Sequence, residues 1–346
     1  MMRRRRPFRM VAGLAAMAAG LVCGCINDPV EYGDYNFLSA ELELVWKTFD
    51  EAYVGFGPSD ADWDQCYATA AARMDTVASY PGLGRVIWQM VEPLGDPGTA
   101  VQGYETGWSD YPSRDGVAPN VDSTLYFQYM DELGFQLIEP SWGLCMLADS
   151  TVPLFVVTGW TNFSWGTFDE YFDPLQGSAG MVIDLRLAPN RPYSYMTTMP
   201  KLVANRFADE QRTAYFRSRR NGPGREDLST PNPCNLFPRN GFTGPTLVLT
   251  GPQNCMLTER FVSMMGCLPH VTLAGDTTRG IADATTLYAV GQGEVAVPDT
   301  AILAWDTTRI QRAGIAPETL VQADSGDFAS GTDPVLEYAI EWAEGL

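Results

Sequence analysis

The sequence is short of the side chains that most often do chemistry at neutral pH: in 346 residues there is one histidine, His270. A zinc site built on imidazole is not a credible reading of such a chain, and the cysteines have no metal-ligand spacing. Positive charge is scarce too: 23 Lys and Arg stand against 42 Asp and Glu, a net charge of −19. A surface of that sign repels nucleic-acid phosphates, so no nucleic-acid partner is expected. The basic cluster Arg217, Arg219 and Arg220 reads as a solvated loop rather than an anion site. No apolar run reaches the ~20 residues needed to span a bilayer as a helix. There is no biased tract, no internal repeat and no motif that asks for a cofactor. What remains is 45% hydrophobic and 19% charged, the composition of a globular chain with a sizeable core.

The first residues are not expected to belong to that core. Arg3, Arg4, Arg5, Arg6 and Arg9 form a basic leader, and Val11 to Val22 an apolar stretch about half as long as a membrane span. Together they read as a signal peptide over residues 1–25. Its end, Val22-Cys23-Gly24-Cys25, resembles the lipobox of bacterial lipoproteins. The resemblance implies cleavage before Cys25 and a lipid on Cys25. Ile26 and Asn27 carry no inner-membrane retention aspartate, which implies the outer membrane, with secretion or a periplasmic location as the alternative. Residues 26–36 are polar and suit a tether. Cys66, Cys145, Cys234, Cys255 and Cys267 remain, enough for at most two disulfides and a leftover thiol, with Cys234 the favoured mate for Cys255.

Three helical stripes open the folded part and define a small helical domain over residues 37–100: Leu38 to Tyr53, Trp63 to Met74 and Leu83 to Leu94. Residues 101–152 are rich in Gly, Pro, Asp and aromatics, with strand-like runs such as Thr124 to Met130. From residue 153 onward, buried strands (Leu154–Val157, Met181–Leu185, Thr246–Thr250, Val271–Ala274) alternate with helices such as Leu257 to Met265, the rhythm of an α/β core. Asp333-Pro334 caps a closing helix over Val335 to Trp342.

Several segments, in order, resemble the tail-specific or C-terminal processing serine proteases and their tricorn-like relatives. Val45-Trp46-Lys47-Thr48-Phe49 and Asp62-Trp63-Asp64 are similar to the family's helical cap. Leu94-Gly95-Asp96-Pro97-Gly98-Thr99 resembles its Leu-Gly-Asp-Gly-His-Thr, and Gly180 to Arg186 its strand ending in Asp-Leu-Arg. Leu247 to Thr250 with Thr258-Glu259-Arg260-Phe261 resembles the strand and helix around the nucleophile. Val271 to Gly280 resembles the strand and glycine loop that follow. The resemblance implies a crotonase/ClpP-like protease core behind a small N-terminal helical bundle. The ~55 residues between Thr99 and the Leu154 strand are too few for a separate peptide-binding PDZ module.

The same resemblance locates the chemistry, and the chemistry is missing. The family's serine lies three residues before the helix glutamate, a position held here by Met256. The lysine base follows the loop glycine Gly280, where Ile281 stands, and the tricorn-like histidine is replaced by Gly98. A thioether is not an ionisable nucleophile, and neither Ile nor Gly offers a base. The oxyanion-like segment after Arg186 contains Pro189 and Pro192, which lack N–H groups, leaving Asn190 and Arg191 as donors. Cys255 is the one substitute nucleophile at the right place, but His270 is expected about 15 Å away, at the other end of the intervening helix. The leading reading is a non-catalytic homologue that binds a peptide or an envelope protein, with Trp108, Tyr111, Trp142, Trp160 and Trp165 as possible groove residues. The alternatives are an endopeptidase using Cys255, Thr258 or Ser263, and a purely structural lipoprotein.

Overall fold

A computed structural model of the protein describes residues 37–104, 109–110, 119–149, 151–188 and 198–346. The leader, Cys25 and the tether lie outside the described residues, as do Trp108, Tyr111, Asn190 and Arg191.

Helices α1 (Phe37–Ala52), α2 (Trp63–Ala71) and α3 (Tyr80–Val91) fall where the apolar spacing puts them. Asp62 caps α2 by accepting the Gln65 N–H, and Ser79 caps α3, whose first turn holds Pro81. Their buried faces, among them Val45, Phe49, Trp63, Ile87 and Met90, share one core with Val290, Val295 and Val297. Strands β1 (Ala100–Gln102) and β2 (Ser109–Asp110) come next, then α4 (Ser123–Glu132). This helix corrects the strand expected over Thr124 to Met130. Asp122 accepts the Leu125 N–H as an N-cap, and Tyr126 and Met130, four residues apart, are the buried positions. The cap and the helical spacing override the β-propensity of the aromatic residues.

The chain continues through β3 (Gln136–Glu139), β4 (Trp142–Leu147), β5 (Val152–Val157), α5 (Trp165–Phe172), β6 (Met181–Asp184), α6 (Thr198–Asn205), β7 (Arg212–Ser218) and β8 (Asn232–Leu236). Then come β9 (Thr246–Thr250), α7 (Leu257–Gly266), β10 (Val271–Gly275), β11 (Ala284–Val290), β12 (Gly293–Ala304), β13 (Thr319–Leu320), α8 (Ser325–Ala329) and α9 (Pro334–Glu344). Seven strands form one sheet in the order β13-β10-β9-β6-β5-β4-β3, parallel from β13 to β5 and antiparallel beyond. Every residue of β5, β6 and β9 is buried, which explains their unbroken apolar sequences. A second, antiparallel sheet of six runs β2-β1-β12-β7-β8, with β11 also paired to β12. Helices α1 to α3 pack on this second sheet, where the long β12 joins them to the rest.

The Asp-Leu-Arg end of β6 is a structural clamp. Arg186 is fully buried, its Nη2 2.9 Å from Asp184 Oδ2 and its Nη1 2.8 Å from Asp333 Oδ1. Asp333 Oδ1 also accepts the Leu336 N–H at 3.1 Å, capping α9. One guanidinium between two carboxylates keeps a buried charge satisfied while tying the sheet to the last helix.

None of the five cysteines within the described residues is disulfide-bonded. The expected Cys234–Cys255 pair is not formed, because Cys234 stands on the edge strand β8 beside Tyr215 while Cys255 is buried with Met256 and Ile281.

Candidate functional site

The point where β9 turns into α7 is built as an elbow. Asn254 closes the turn: its Oδ1 accepts the Gly251 N–H at 2.8 Å and its Nδ2 donates to the Leu185 carbonyl. Met256 then sits immediately before α7 with φ 53° and ψ −111°. A non-glycine residue in that region costs of order 1–3 kcal/mol and persists only where its surroundings hold it. Here the Met256 N–H donates to the Ile281 carbonyl at 2.7 Å and to Glu259 Oε2 at 3.2 Å. The side chain at position 256 is thus aimed by strained backbone toward the 278–282 loop.

Glu259 organises that loop from one turn inside α7. Its Oε1 accepts the Thr278 hydroxyl at 2.7 Å and the Gly280 N–H, and its Oε2 accepts the Ile281 N–H at 2.8 Å. Gly280 has φ 80°, and a Cβ there would meet the Arg312 carbonyl carbon at 2.7 Å, so the loop needs glycine at this position. Arg260, the next residue, donates from Nε and Nη2 to the Ala282 carbonyl. Adjacent helix residues therefore hold the loop by its N–H groups and by its carbonyl. Burial pushes the Glu259 carboxyl up to about 7, while the four donors aimed at its lone pairs pull the other way.

Met256 and Ile281, the positions to which the sequence resemblance assigns a nucleophile and a base, lie together in this framework and hold apolar groups. Cys255, Met256 and Ile281 form a small cluster of their own, 4%, 7% and 2% exposed. Gly98 belongs to a neighbouring polar network. Its N–H donates to Asp96 Oδ1 at 2.8 Å, Asp96 accepts from Tyr53 and Gln311, and Gln311 in turn accepts the Asp283 N–H. A Cβ on Gly98 would meet Pro298 at 2.9 Å, so no histidine fits there without movement.

The whole chain offers few replacements for a base. Lys47 and Lys201 are its only lysines. Lys47 pairs with Glu43 on α1, and Lys201 lies over the Phe237 ring. His270 is past the far end of α7, its backbone carbonyl accepting the Thr246 N–H, and burial lowers its pKa. Cys255 precedes the same helix, so α7 lies between the two in the chain. Scarcity of lysine was a signal already present in the sequence.

The other candidate nucleophiles are engaged in structure. Thr258 donates to the Ala188 carbonyl at 3.2 Å and accepts the Trp160 indole N–H at 3.1 Å, and Ser263 donates to the Ala214 carbonyl at 2.7 Å. The Asn254–Leu185 and Thr258–Ala188 bonds bring the start of the oxyanion-like segment against the elbow, while Asn190 and Arg191 are outside the described residues. Two of the proposed groove aromatics are corrected. Trp142 and Trp160 are buried in the main core, stacked on Phe163, because a flat indole contributes more as packing surface than at an open rim. Trp165 is half-buried beneath Arg239. Among the described residues no group of three or more His, Cys, Asp or Glu is placed to hold a metal.

No family model and no curated protein matches the chain. Solved structures do. A candidate peptidase from Parabacteroides merdae is 23% identical, with TM-score 0.77 over 88% of this chain and 96% of its own. A lipoprotein from Streptococcus agalactiae is 12% identical, with TM-score 0.57 over 89% and 96%. The photosystem II D1 C-terminal processing protease is 13% identical, with TM-score 0.56 over 82% and 92%. The chain has the fold of the tail-specific and C-terminal processing proteases.

Proposed function

We propose that the protein is a non-catalytic member of the tail-specific peptidase family, exported and held at the cell envelope by a lipid on Cys25, with a crotonase/ClpP-like core behind its helical cap. One observation carries this reading: an elbow built to present a reactive side chain presents Met256, sealed against Ile281 and Cys255. Hydrolysis of a peptide by this fold needs an ionisable nucleophile, a base within ~3 Å and donors for the oxyanion. The first two have been replaced by side chains that cannot gain or lose a proton. Burial of all three cluster members argues against an open groove at the vacated centre. The protein would then act by binding an envelope protein or peptide elsewhere on its surface, or as a structural lipoprotein. That no helix among the described residues is long and apolar enough to cross a membrane fits attachment through a lipid.

The reading of Cys255 as a substitute nucleophile has little support, since the thiol is buried and the one histidine is beyond the other end of α7. The test is incubation of the purified chain with casein and with fluorophosphonate and thiol-directed activity probes. Neither cleavage nor labelling at Cys255 is expected. Cleavage that survives purification and disappears in C255A would overturn the proposal. Mass spectrometry of the native N-terminus checks the anchor: a diacylated or triacylated Cys25 is expected.

A further inference from the structure

The arginines read from sequence as a solvated loop are part of the antiparallel sheet. Arg217 is on β7 and Arg219 just beyond it, on either side of the buried Ser218, so the two-residue period of a strand puts both on one face. Asn232 on β8 pairs directly with Arg217, and Arg219 Nε donates to Thr300 Oγ1 of β12 at 2.9 Å. Arg220 starts the return arm, bridged to Leu228, and its guanidinium donates to the carbonyls of Gly224 and Asp50. The three arginines line a cleft of about 580 Å³ whose other lining residues are Asn221, Ser229, Asn232 and Thr300.

Charge makes this cleft unusual for the molecule. The chain carries −19, yet among the described residues Arg217, Arg219 and Arg220 form no ion pair. Their neighbour Arg225, by contrast, is neutralised by Asp50 and Asp64. Three carboxylates stand nearby without pairing with these arginines: Asp299 accepts from Thr300, Thr286 and Tyr288, Asp227 accepts the Gly224 N–H, and Asp50 pairs with Arg225. Arg219 and Arg220 are instead fixed by neutral oxygens, which orient a guanidinium without cancelling its charge. The Nε of Arg220 is buried with no acceptor.

We propose that this cleft is a binding site for a small polyanion carrying at least two oxyanion groups, carboxylate or phosphate, on a non-aromatic scaffold. Guanidinium forks bind such groups in two-pronged fashion. The volume lies within the ~300–1,000 Å³ usual for small-molecule sites. No aromatic residue lines the cleft to stack on a ring, and Asn221 and Asn232 supply amides for a hydroxylated or otherwise polar backbone. The proposal does not depend on whether the protein cleaves peptides.

Calorimetric titration of the full chain with inorganic pyrophosphate and with citrate tests it, with acetate for comparison. Saturable binding of pyrophosphate, citrate or both, and none of acetate, is expected. Binding should weaken at least tenfold in R217Q/R219Q and be unchanged in K47Q. The preferred probe tells phosphate from carboxylate ligands. Protection by the bound probe against phenylglyoxal, read as unmodified Arg217 and Arg219 by mass spectrometry, gives a second readout that needs no variant. Absence of saturable binding by both probes, or equal affinity in a folded R217Q/R219Q, would show the cleft to be ordinary surface.

Discussion

Arg186 follows β6 by two residues and Glu259 lies in the first turn of α7, the helix after the neighbouring strand β9; both are sealed from water, but they are satisfied in opposite ways. Arg186 lies between two carboxylates. Burial works to lower its pKa, and the attraction of Asp184 and Asp333 outweighs it and raises it further. Glu259 meets only neutral N–H and O–H donors, and burial leaves its carboxyl raised to about 7. The first cluster answers a buried charge with opposite charges. The second holds the 278–282 loop through neutral donors, with the buried Arg260 guanidinium a neighbouring charge rather than a hydrogen-bonding partner. The elbow around Met256 is thus maintained by groups other than Met256 and Ile281 themselves.

The comparison can be broken most severely at Arg186. Arg186→Met leaves Asp184 and Asp333 buried side by side and should cost about 3–5 kcal/mol of unfolding free energy in urea. Glu259→Gln should cost less, about 1–3 kcal/mol, because its amide NH₂ must face donors aimed at oxygen. Equal losses in the two variants would remove the distinction between them.

A pH series sharpens the difference. The folded pKa of Glu259, about 7, is above its ordinary value of 4.5, so the folded state keeps a proton that the unfolded chain releases. Its contribution is fully present below pH 4.5 and lost as pH rises through 7. Thermal stability of the parent should fall over that window relative to Glu259→Gln. The smallest effect is expected at the elbow. Met256→Gly relieves the backbone but forfeits a buried side chain, so its net change should stay within about 1 kcal/mol, while Met256→Val adds a β-branched residue at positive φ and should be clearly worse. Denaturation curves of the pair decide it.

Much of the core was legible because strands covered on both faces must be apolar throughout. Thr246–Thr250 is β9 to the residue, and Asp333-Pro334 opens α9 as expected. The place of Met256 before α7 and its contact with Ile281 followed from resemblance, since residues 25 apart in sequence carry no local sign of touching. The antiparallel sheet was largely invisible. Strands such as β7 and β11 are only half-buried, and their mix of Arg, Thr, Tyr and Ala reads like loop until the partner strand is known. For the same reason Arg217 and Arg219 looked solvated, although their spacing around Ser218 was a period-two signal. The tight donor set of Glu259 could not be read at all, because it depends on the backbone geometry of a loop nineteen to twenty-two residues away.

Pairing of Ala100 with Ala296 has a consequence for the birth of the molecule. The core of the first three helices includes Val290, Val295 and Val297, so those helices leave the ribosome with an apolar face that nothing yet covers. At ~5–20 residues per second, the missing strands follow on the order of ten seconds or more later. Through that interval the earliest part of the chain depends on a chaperone or on remaining unfolded. A protein truncated before β12 would lose its first helices as surely as its last.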